Sequence, residues 1–265
     1  MVNKLEVLAI VPARGGSKSI PKKNIIDLSG KPLISYALAA IKNSKSVNRV
    51  IVSTDDQEIA GVAKKYGAEV PFLRPAELAT DTAPTMPVLR HVLDQLKQSE
   101  GYEPSWVLLV QPTSPFIKTE EIDAAIELIK KNSEADSVTS VIEVPNNFHP
   151  INSRLITEDG WLQFVDPVER AKYNQRQSKP RRYAIGNLWV FTLEVIQKKD
   201  IPIGDRCLPL VITSMSAFDI DTLEDLEIAE ALLPIALRGD SIKKSNEDHF
   251  SNGFYQLCCP QHFRH

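Results

Sequence analysis

Apolar and polar positions recur along the chain with two different periods, which predict strands that alternate with helices. The run EVLAIVPA at residues 6–13 is almost wholly apolar, as expected for a parallel strand that is buried on both faces. The next segment, PLISYALAAIKNS at residues 32–44, has apolar residues at helical spacing and a proline near its start. Together they predict the first strand and helix of an α/β domain.

The same alternation continues as far as residue 144. Further strands are predicted at residues 48–56, 68–75, 105–112 and 136–144, and helices at residues 57–67, 85–98 and 119–132. This order predicts an α/β fold with a mostly parallel, Rossmann-like sheet and helices on both faces. Ligands of such sheets bind beyond the carboxyl ends of the strands, so we expect functional residues directly after strands.

The pattern changes between residues 145 and 182, a segment that has four prolines and no long amphipathic helix. We interpret this segment as a β-rich insertion in a domain that spans residues 1–236. Residues 184–193 then predict a strand, and residues 208–234 predict a strand, a turn and a final helix. Residues 237–265 are polar and aperiodic, and we predict a C-terminal tail with little order.

The composition is that of an ordinary globular protein. The chain has 265 residues, of which 43% are hydrophobic and 25% are charged, and this suits one large domain with a small insertion. The formal net charge of -3 argues against nucleic acid as the main partner. Because no apolar run is long enough to span a membrane and the three cysteines form no disulfide framework or zinc motif, we expect a cytoplasmic protein.

Against this acidic background, the segment VPARGGSKSIPKKNI at residues 11–25 carries four cations and no acid. Two adjacent glycines follow the first predicted strand, and glycines let backbone N–H groups approach an anion closely. The segment matches neither the Walker A pattern nor the dinucleotide fingerprint. It therefore predicts a phosphate-binding loop of another kind, and a solvated basic turn is the alternative.

A second feature is the segment FDID, which places Asp219 and Asp221 two positions apart at a predicted strand end. Residues at this spacing project from one face of a strand, where two carboxylates repel each other unless a cation lies between them. Such oxygen ligands suit Mg²⁺. The alternative is that Asp221 only flanks a helix, because TLED at residues 222–225 has the pattern of a capping box.

Four segments carry a resemblance to a known family: IVPARGGSKSIPKKN, RPAELATDTAPT, LLVQPTSPF and FDIDTLEDLE. In order and spacing they resemble the acylneuraminate cytidylyltransferase family, the CMP-sialic acid synthetases. The resemblance implies a fold of the nucleotide-diphospho-sugar transferase type, with residues 145–182 as a dimerisation region. It implies CTP and a sugar 2-keto acid as substrates, a CMP-sugar and pyrophosphate as products, Mg²⁺ as cofactor, and a homodimer.

The resemblance also implies roles for individual residues. Arg14, Lys23 and Asp221 are expected to be catalytic, the first two through phosphate contacts, and Asp219 and Asp221 are expected to hold Mg²⁺. The residues expected to bind substrate are Gly15, Gly16 and Ser17 in the loop, Asn24, Arg74 and Thr85 at the nucleotide, and Gln111, Arg176 and Gln177 at the sugar acid or a partner subunit.

Two alternatives remain at this stage, a CMP-Kdo synthetase and a nucleotide-sugar sensor without catalysis. The sequence RGGSK followed by KKN favours the nonulosonic acid branch over the Kdo branch, and the four charged residues of the two motifs favour an enzyme. The chain departs from the family pattern at IGNLWVF, where Gly186 and Asn187 reverse a usual Asn-Gly order. This strand is expected to border the sugar pocket.

Overall fold

The computed structural model describes residues 6–173 and 175–246, without the side chains of Arg176 and of residues 237–246. Within that part, the strands are β1 (Val7–Pro12), β2 (Asp27–Leu28), β3 (Lys31–Pro32), β4 (Arg49–Ser53), β5 (Trp106–Val110), β6 (Ser137–Glu143), β7 (Arg154–Ile156), β8 (Leu162–Phe164), β9 (Tyr183–Thr192) and β10 (Cys207–Val211). Six of them form one sheet in the order β10-β6-β9-β5-β1-β4, and the other four form two small hairpins.

Helices cover both faces of this sheet. They are α1 (Ile34–Asn43), α2 (Gln57–Lys65), α3 (Thr85–Glu100), α4 (Thr119–Lys131), α5 (Pro167–Lys172), α6 (Leu193–Lys198) and α7 (Leu223–Asn246). Short 3-10 turns occur at Lys23–Ile25, Ala76–Leu78, Asn146–Phe148, Pro150–Asn152 and Arg176–Ser178. No helix in the described part of the chain has the length and apolarity needed to cross a membrane.

Strand β1 lies inside the sheet and pairs in parallel with both β4 and β5. Its residues alternate between two cores: Ala9 and Val11 pack with α1, α2 and α4, whereas Leu8 and Ile10 pack with α3 and α6. This double burial explains why the first strand reads as a continuous apolar run. The predicted α/β fold with a mostly parallel sheet and helices on both faces is confirmed.

Strand β9 is the exception to the parallel order, because it runs antiparallel to both of its neighbours, β5 and β6. Its register with β6 shifts so that residues 186–188 lie opposite Ser140 alone. The Ser140 hydroxyl oxygen accepts hydrogen bonds from the backbone N–H groups of Asn187 and Leu188, both at 3.0 Å. A side chain thus replaces the ladder partners that are lost in this β-bulge.

Residues 145–182 form an excursion between β6 and β9. Its two ends meet where the Val144 N–H donates a hydrogen bond to the Arg182 carbonyl at 2.8 Å. Among the residues of the excursion that the structure describes, strand structure is limited to the β7–β8 hairpin, and the others form α5, short turns and irregular segments. The excursion exposes several large apolar side chains, which are 71–78% accessible: Phe148, Ile156, Trp161 and Val168.

Two predicted elements differ from the structure, one strand and the end of the last helix. The predicted strand at residues 68–75 is wrong, because only one isolated bridge joins Glu69 to the sheet. Pro71 and Pro75 lack the N–H groups that a continued ladder needs. Helix α7 continues past residue 236, where the predicted tail begins, and residues 247–265 lie outside the described part.

The segment with Asp219 and Asp221 lies in a loop and not at a strand end, since β10 ends eight residues earlier at Val211. Another kind of anchor holds this loop in place. The Ile220 side chain is fully buried, and its backbone N–H donates to the Thr113 carbonyl at 3.0 Å. The burial of Ile220 therefore fixes the two flanking aspartates without a β-ladder.

The order in which strands are added to the sheet reverses its direction beside β1. The chain passes from β1 through α1 to β4 on one side, whereas β5 lies on the other side and leads through α4 towards β6. Loops that follow β1 and β5 therefore diverge and leave a crevice at the carboxyl ends of these strands.

We expect Gly186→Ala to lower the free energy of unfolding by about 1–3 kcal/mol. A Cβ atom at this position would lie 2.5 Å from the Ser140 hydroxyl oxygen and 3.2 Å from the Ser140 carbonyl oxygen. Urea denaturation followed by circular dichroism measures the change. The matched control is Gly61→Ala in α2, where an added Cβ meets no atom within 4 Å and alanine favours the helix. A Gly186→Ala protein as stable as the control would contradict the geometry of the bulge.

Candidate active site

A cavity of about 550 Å³ opens beyond the carboxyl ends of β1 and β5. It is lined by the basic loop after β1, the segment that leads into α3, the loop after β5 and the loop before α7. Most of the predicted site residues line it: Arg14, Gly16, Ser17, Lys23, Asn24, Arg74, Thr85, Gln111, Asp219 and Asp221. The structure thus brings together residues that lie as much as 207 positions apart in the sequence.

Gly15 lies behind the wall of this cavity. Its backbone N–H donates to the Asp55 carboxylate at 2.9 Å, so this N–H is engaged by an acid and is not open to a bound anion. An added Cβ would lie 2.8 Å from the Cβ of Asp56, which explains the need for glycine. Gly16 differs, because an added Cβ there meets nothing within 4 Å. Of the two glycines, Gly16 is the one that faces the cavity.

Two buried polar side chains shape the wall near the loop. The Asn24 amide nitrogen donates to the Arg14 carbonyl at 2.9 Å, which fixes the loop backbone. Arg74 is 6% exposed, and its guanidinium donates to the hydroxyl and the carbonyl oxygen of Ser53. Burial lowers the pKa of Arg74 to about 10, so the side chain remains a cation at neutral pH. Arg74 is therefore a charged part of the cavity wall and not a surface residue.

Two cations of the loop share one carboxylate, that of Asp81. The Nη1 atom of Arg14 lies 2.6 Å from Asp81 Oδ1, and the Nζ atom of Lys18 lies 2.7 Å from Asp81 Oδ2. The hydrogen bonds from Lys18 and then from Arg14 hold the pKa of Asp81 below its usual range. Neither Lys18 nor Asp81 was assigned a role from sequence, although both lie within the motifs that carry the family resemblance.

A third cation joins the loop to the aspartate pair. Lys23 Nζ lies 2.7 Å from Asp221 Oδ1, and the Lys23 side chain is mostly buried whereas that of Asp221 is exposed. The two residues are 198 positions apart, so this contact depends on the whole fold. It places the basic loop and the aspartates on one site, as the two motifs predicted.

Asp219 is held deeper in the cavity than Asp221. Burial raises the pKa of its carboxyl, hydrogen bonding to the Thr113 side chain opposes that shift, and the nearby charge of Asp221 adds to it. The Ser114 hydroxyl donates to Asp219 Oδ1 at 3.3 Å. The two aspartates therefore lie close enough to influence each other electrostatically, as expected for a pair that shares a cation.

The predicted capping box at the start of α7 is also present, and Asp221 is not its side-chain cap. The Asp225 carboxylate accepts the backbone N–H groups of Asp221 and Thr222, at 3.0 and 2.8 Å, and the Asp225 N–H donates to the Thr222 hydroxyl. The helix is capped by Thr222 and Asp225, which leaves the Asp221 carboxylate in contact with Lys23.

The donor chemistry of Asp219 and Asp221 fits Mg²⁺. Both carboxylates line the cavity, and the described residues include no cluster of three or more His, Cys, Asp or Glu side chains that would form a complete protein cage. Mg²⁺ is commonly bound by one or two carboxylates together with substrate phosphates and water. Two carboxylates fit the protein part of such a site, and Mg²⁺ binding stays a prediction.

Of the remaining two predicted residues, Arg176 and Gln177, the second is not among the described residues that line the cavity. They lie in a 3-10 turn of the 145–182 excursion, where Gln177 is exposed and the side chain of Arg176 is outside the described part. Their contact with a sugar acid or a partner subunit stays a prediction.

Comparison with known proteins identifies relatives of this chain. Residues 8–253 match the model of a family described as Cytidylyltransferase. The chain is 35% identical to the CMP-N,N'-diacetyllegionaminic acid synthase of Legionella pneumophila, over 87% of this chain and 97% of that protein. It is 32% identical to a pseudaminic acid cytidylyltransferase of Campylobacter jejuni, over 86% and 96% of the two chains. It is 31% identical to the N-acylneuraminate cytidylyltransferase of Escherichia coli O18:K1:H7, over 85% of this chain and 52% of that longer protein.

The fold is also found among solved structures. A CMP:2-keto-3-deoxy-manno-octonic acid synthetase in complex with CTP superposes with a TM-score of 0.66 over 87% of this chain and 99% of that chain. The two sequences are 16% identical, so this similarity shows the fold alone.

We expect Asp81→Asn to tighten the binding of inorganic triphosphate by about threefold to tenfold, since the anion no longer competes with a carboxylate for two exposed cations. Isothermal titration calorimetry measures the dissociation constant. Glu77→Gln is the matched control, because it removes one exposed charge from the same segment without a contact to Arg14 or Lys18. Equal affinities for the Asp81→Asn variant and the control would show that the ion pairs do not compete with phosphate.

Proposed function

The chain belongs to the acylneuraminate cytidylyltransferase family, and from that premise we propose that it activates a nonulosonic (sialic-type) acid with CTP. The products are a CMP-sugar and pyrophosphate. The resemblance found in the sequence is thereby confirmed. The observation that carries the proposal is the ion pair between Lys23 and Asp221, which joins the basic loop to the aspartate pair across one cavity.

The reaction forms one bond and breaks another at the α-phosphorus of CTP. The oxygen of the anomeric C2 hydroxyl of the sugar acid bonds to phosphorus and loses its proton, while the bond to pyrophosphate breaks. Negative charge then grows on the departing pyrophosphate. Arg14 and Lys23 line the cavity as cations that can stabilise this charge, which is the main task of a protein in phosphoryl and nucleotidyl transfer.

The two ends of the cavity suit the two substrates. On the side of β1, the open backbone at Gly16 and Ser17 would receive the triphosphate, and Asn24, Arg74 and Thr85 would contact the nucleoside. On the side of β5, Gln111 would face the sugar acid. Both substrates are anions, and the cations of the loop supply the opposing charge.

Asp219 and Asp221 would hold Mg²⁺ in this proposal. When it is bound, Mg²⁺ offsets the negative charge of the phosphates beside the bond that breaks. Asp221 also keeps Lys23 at the edge of the cavity through their ion pair. Asp219 stays fixed by Thr113 and Ser114, so one aspartate is held by the protein and the other is exposed to the cavity.

The two alternatives from the sequence, a CMP-Kdo synthetase and a sensor without catalysis, make different predictions from this function. A CMP-Kdo synthetase shares the fold, but the three relatives described above are named for legionaminic, pseudaminic and N-acylneuraminic acids. A sensor without catalysis would need the same cavity but no in-line reaction. A cytoplasmic location stays a prediction from the cysteine pattern.

A pyrophosphate-release assay tests the function directly. We expect turnover with CTP and at least one of N-acetylneuraminic, legionaminic and pseudaminic acids, and no comparable turnover with ATP. Turnover with Kdo alone would favour the first alternative. Calorimetric binding of CTP without turnover of any acid would favour the sensor.

Asp221→Asn is expected to lower kcat/KM by about a hundredfold or more and to raise the Mg²⁺ concentration for half-activity, because metal stabilisation is worth several kcal/mol. The substitution keeps the shape of the side chain, so the melting temperature should change little. The matched control is Glu224→Gln, which removes an exposed charge three residues further on. A Mg²⁺ titration that is the same for Asp221→Asn and the control would rule out Asp221 as a ligand.

We also propose that the chain is a homodimer that associates through residues 145–182. The support is the exposed apolar surface of this excursion, which includes Phe148, Ile156, Trp161 and Val168. Large apolar patches on a protein surface commonly mark protein–protein interaction sites.

In the dimer, Trp161→Glu would bury a charge in an apolar interface and should raise the dissociation constant by about a hundredfold or more. Sedimentation velocity over a range of micromolar concentrations measures it. Ile201→Glu is the control, since Ile201 is an exposed apolar residue outside the excursion. A wild-type protein that sediments as a monomer at these concentrations would contradict the proposal.

A further inference from the structure

Asn187 is a buried residue of β9 that contacts two different loops of the site. Its backbone carbonyl accepts the N–H of Gln111 at 3.2 Å. Its side-chain amide donates from Nδ2 to the carbonyl of Ser216 at 2.7 Å. Gln111 is the first residue after β5, and Ser216 lies three residues before Asp219. One residue thus joins the loop on the sugar side to the loop that carries the aspartates.

The β-bulge makes this double contact possible. In a regular antiparallel strand, the N–H and C=O groups of a residue are directed to the neighbouring strands by the ladder. Here the Ser140 hydroxyl accepts the N–H of Asn187, while a glycine at position 186 leaves room for that hydroxyl. The bulge thus leaves the backbone N–H of Asn187 with a partner, the Ser140 hydroxyl, while its side-chain amide reaches the Ser216 turn.

The Ser216 turn is itself built from buried polar contacts. Ser216 is fully buried, and its N–H donates to the Thr213 hydroxyl at 3.1 Å. The Ser216 hydroxyl also forms a hydrogen bond with the Thr213 hydroxyl at 2.9 Å. Burial raises the pKa of Glu121 on α4, and its interaction with the Ser216 side chain opposes that rise. The Asn187 side chain is thus one of the few polar contacts that join this turn to the sheet.

We propose that Asn187 is a positioning residue for the reaction, because it holds the loop of Asp219 and Asp221 at a fixed distance from Gln111. This inference rests on the proposed function, in which Gln111 faces the sugar acid. The distance between the aspartate loop and Gln111 is then the distance between the aspartates and that substrate. The hydrogen bond from the Ile220 N–H to the Thr113 carbonyl joins the same two loops at a second point. In the described part of the chain, Asn187 forms no hydrogen bond with the basic loop that follows β1, where the triphosphate would bind.

Asn187→Asp is the most informative substitution. It keeps the shape of the side chain but replaces the donor that faces the Ser216 carbonyl by an oxygen, so the contact becomes repulsive. We expect kcat to fall and the KM for the sugar acid to rise, each by about tenfold, as for the loss of one buried hydrogen bond. The dissociation constant of CTP, measured by calorimetry, should stay within about twofold of the wild-type value.

Val190→Ala is the matched control, three positions along the same strand. Val190 is fully buried in the core on the α1, α2 and α4 side of the sheet and has no polar side-chain atom that could hold either loop by a hydrogen bond. This variant should lose stability without a change in the KM for the sugar acid. If the sugar-acid KM and the CTP dissociation constant rise in parallel for Asn187→Asp, the role is structural only and the proposal is overturned. Wild-type kinetics for Asn187→Asp would overturn it as well.

Hydrogen exchange on the ligand-free protein tests the same contact without any substrate. In Asn187→Asp, amides of residues 213–221 should exchange at least about tenfold faster, whereas those of residues 14–25 should keep their wild-type rates. Unchanged exchange in residues 213–221 would overturn the proposal. This result also separates the two hypotheses. A wild-type protein that turns over no sugar acid refutes the proposed function, and the exchange rates still decide whether Asn187 holds the loop.

Discussion

The complete burial of β1 between two layers of helices is the constraint on which the rest of the structure depends. A strand in this position must satisfy its backbone through β4 and β5, and it can carry no charged side chain along its length. Charge becomes possible only where the strand emerges. Arg14 is the second residue after β1, and the other cations of the loop follow within nine positions. The carboxyl end of β1 is therefore the first position after the strand where charged side chains of the site can lie.

Cations of the site pair with carboxylates of the same chain. Arg14 and Lys18 share Asp81, and Lys23 pairs with Asp221, so the cations are held beside carboxylates in a chain that is acidic as a whole. Solvent-accessible ion pairs such as those at Asp81 are weak, so another anion can replace the carboxylate. A substrate phosphate thus replaces a carboxylate as the partner of a cation. This replacement limits the free-energy cost of bringing highly charged molecules into the cavity.

Most of the fold could be predicted because strand and helix periods are local signals. The strands with both faces buried and the helices between them follow directly from the apolar pattern. Arg14 and Lys23 were found because they belong to a basic loop after the first strand, and Gln111 was found through the family resemblance. The predicted strand at residues 68–75 failed because two prolines interrupt its ladder.

The bulge at Ser140 and the contact between Arg14 and Asp81 could not be predicted. They are hydrogen bonds between residues 47 and 67 positions apart, and such contacts leave no periodic trace in the sequence. The motif with Asp219 and Asp221 was found for its chemistry, although its loop is fixed by the burial of Ile220 and not by a strand.

The way in which the 145–182 excursion joins the sheet has an evolutionary consequence. At its two ends, the Val144 nitrogen lies 2.8 Å from the Arg182 carbonyl oxygen in a hydrogen bond. Strands β6 and β9 are adjacent and antiparallel, and their pairing does not involve the residues between those ends. Insertions, deletions or wholesale replacement in this segment leave the strand order unchanged. Lineages can therefore vary the exposed apolar surface of this segment while the sheet and the cavity stay under separate selection.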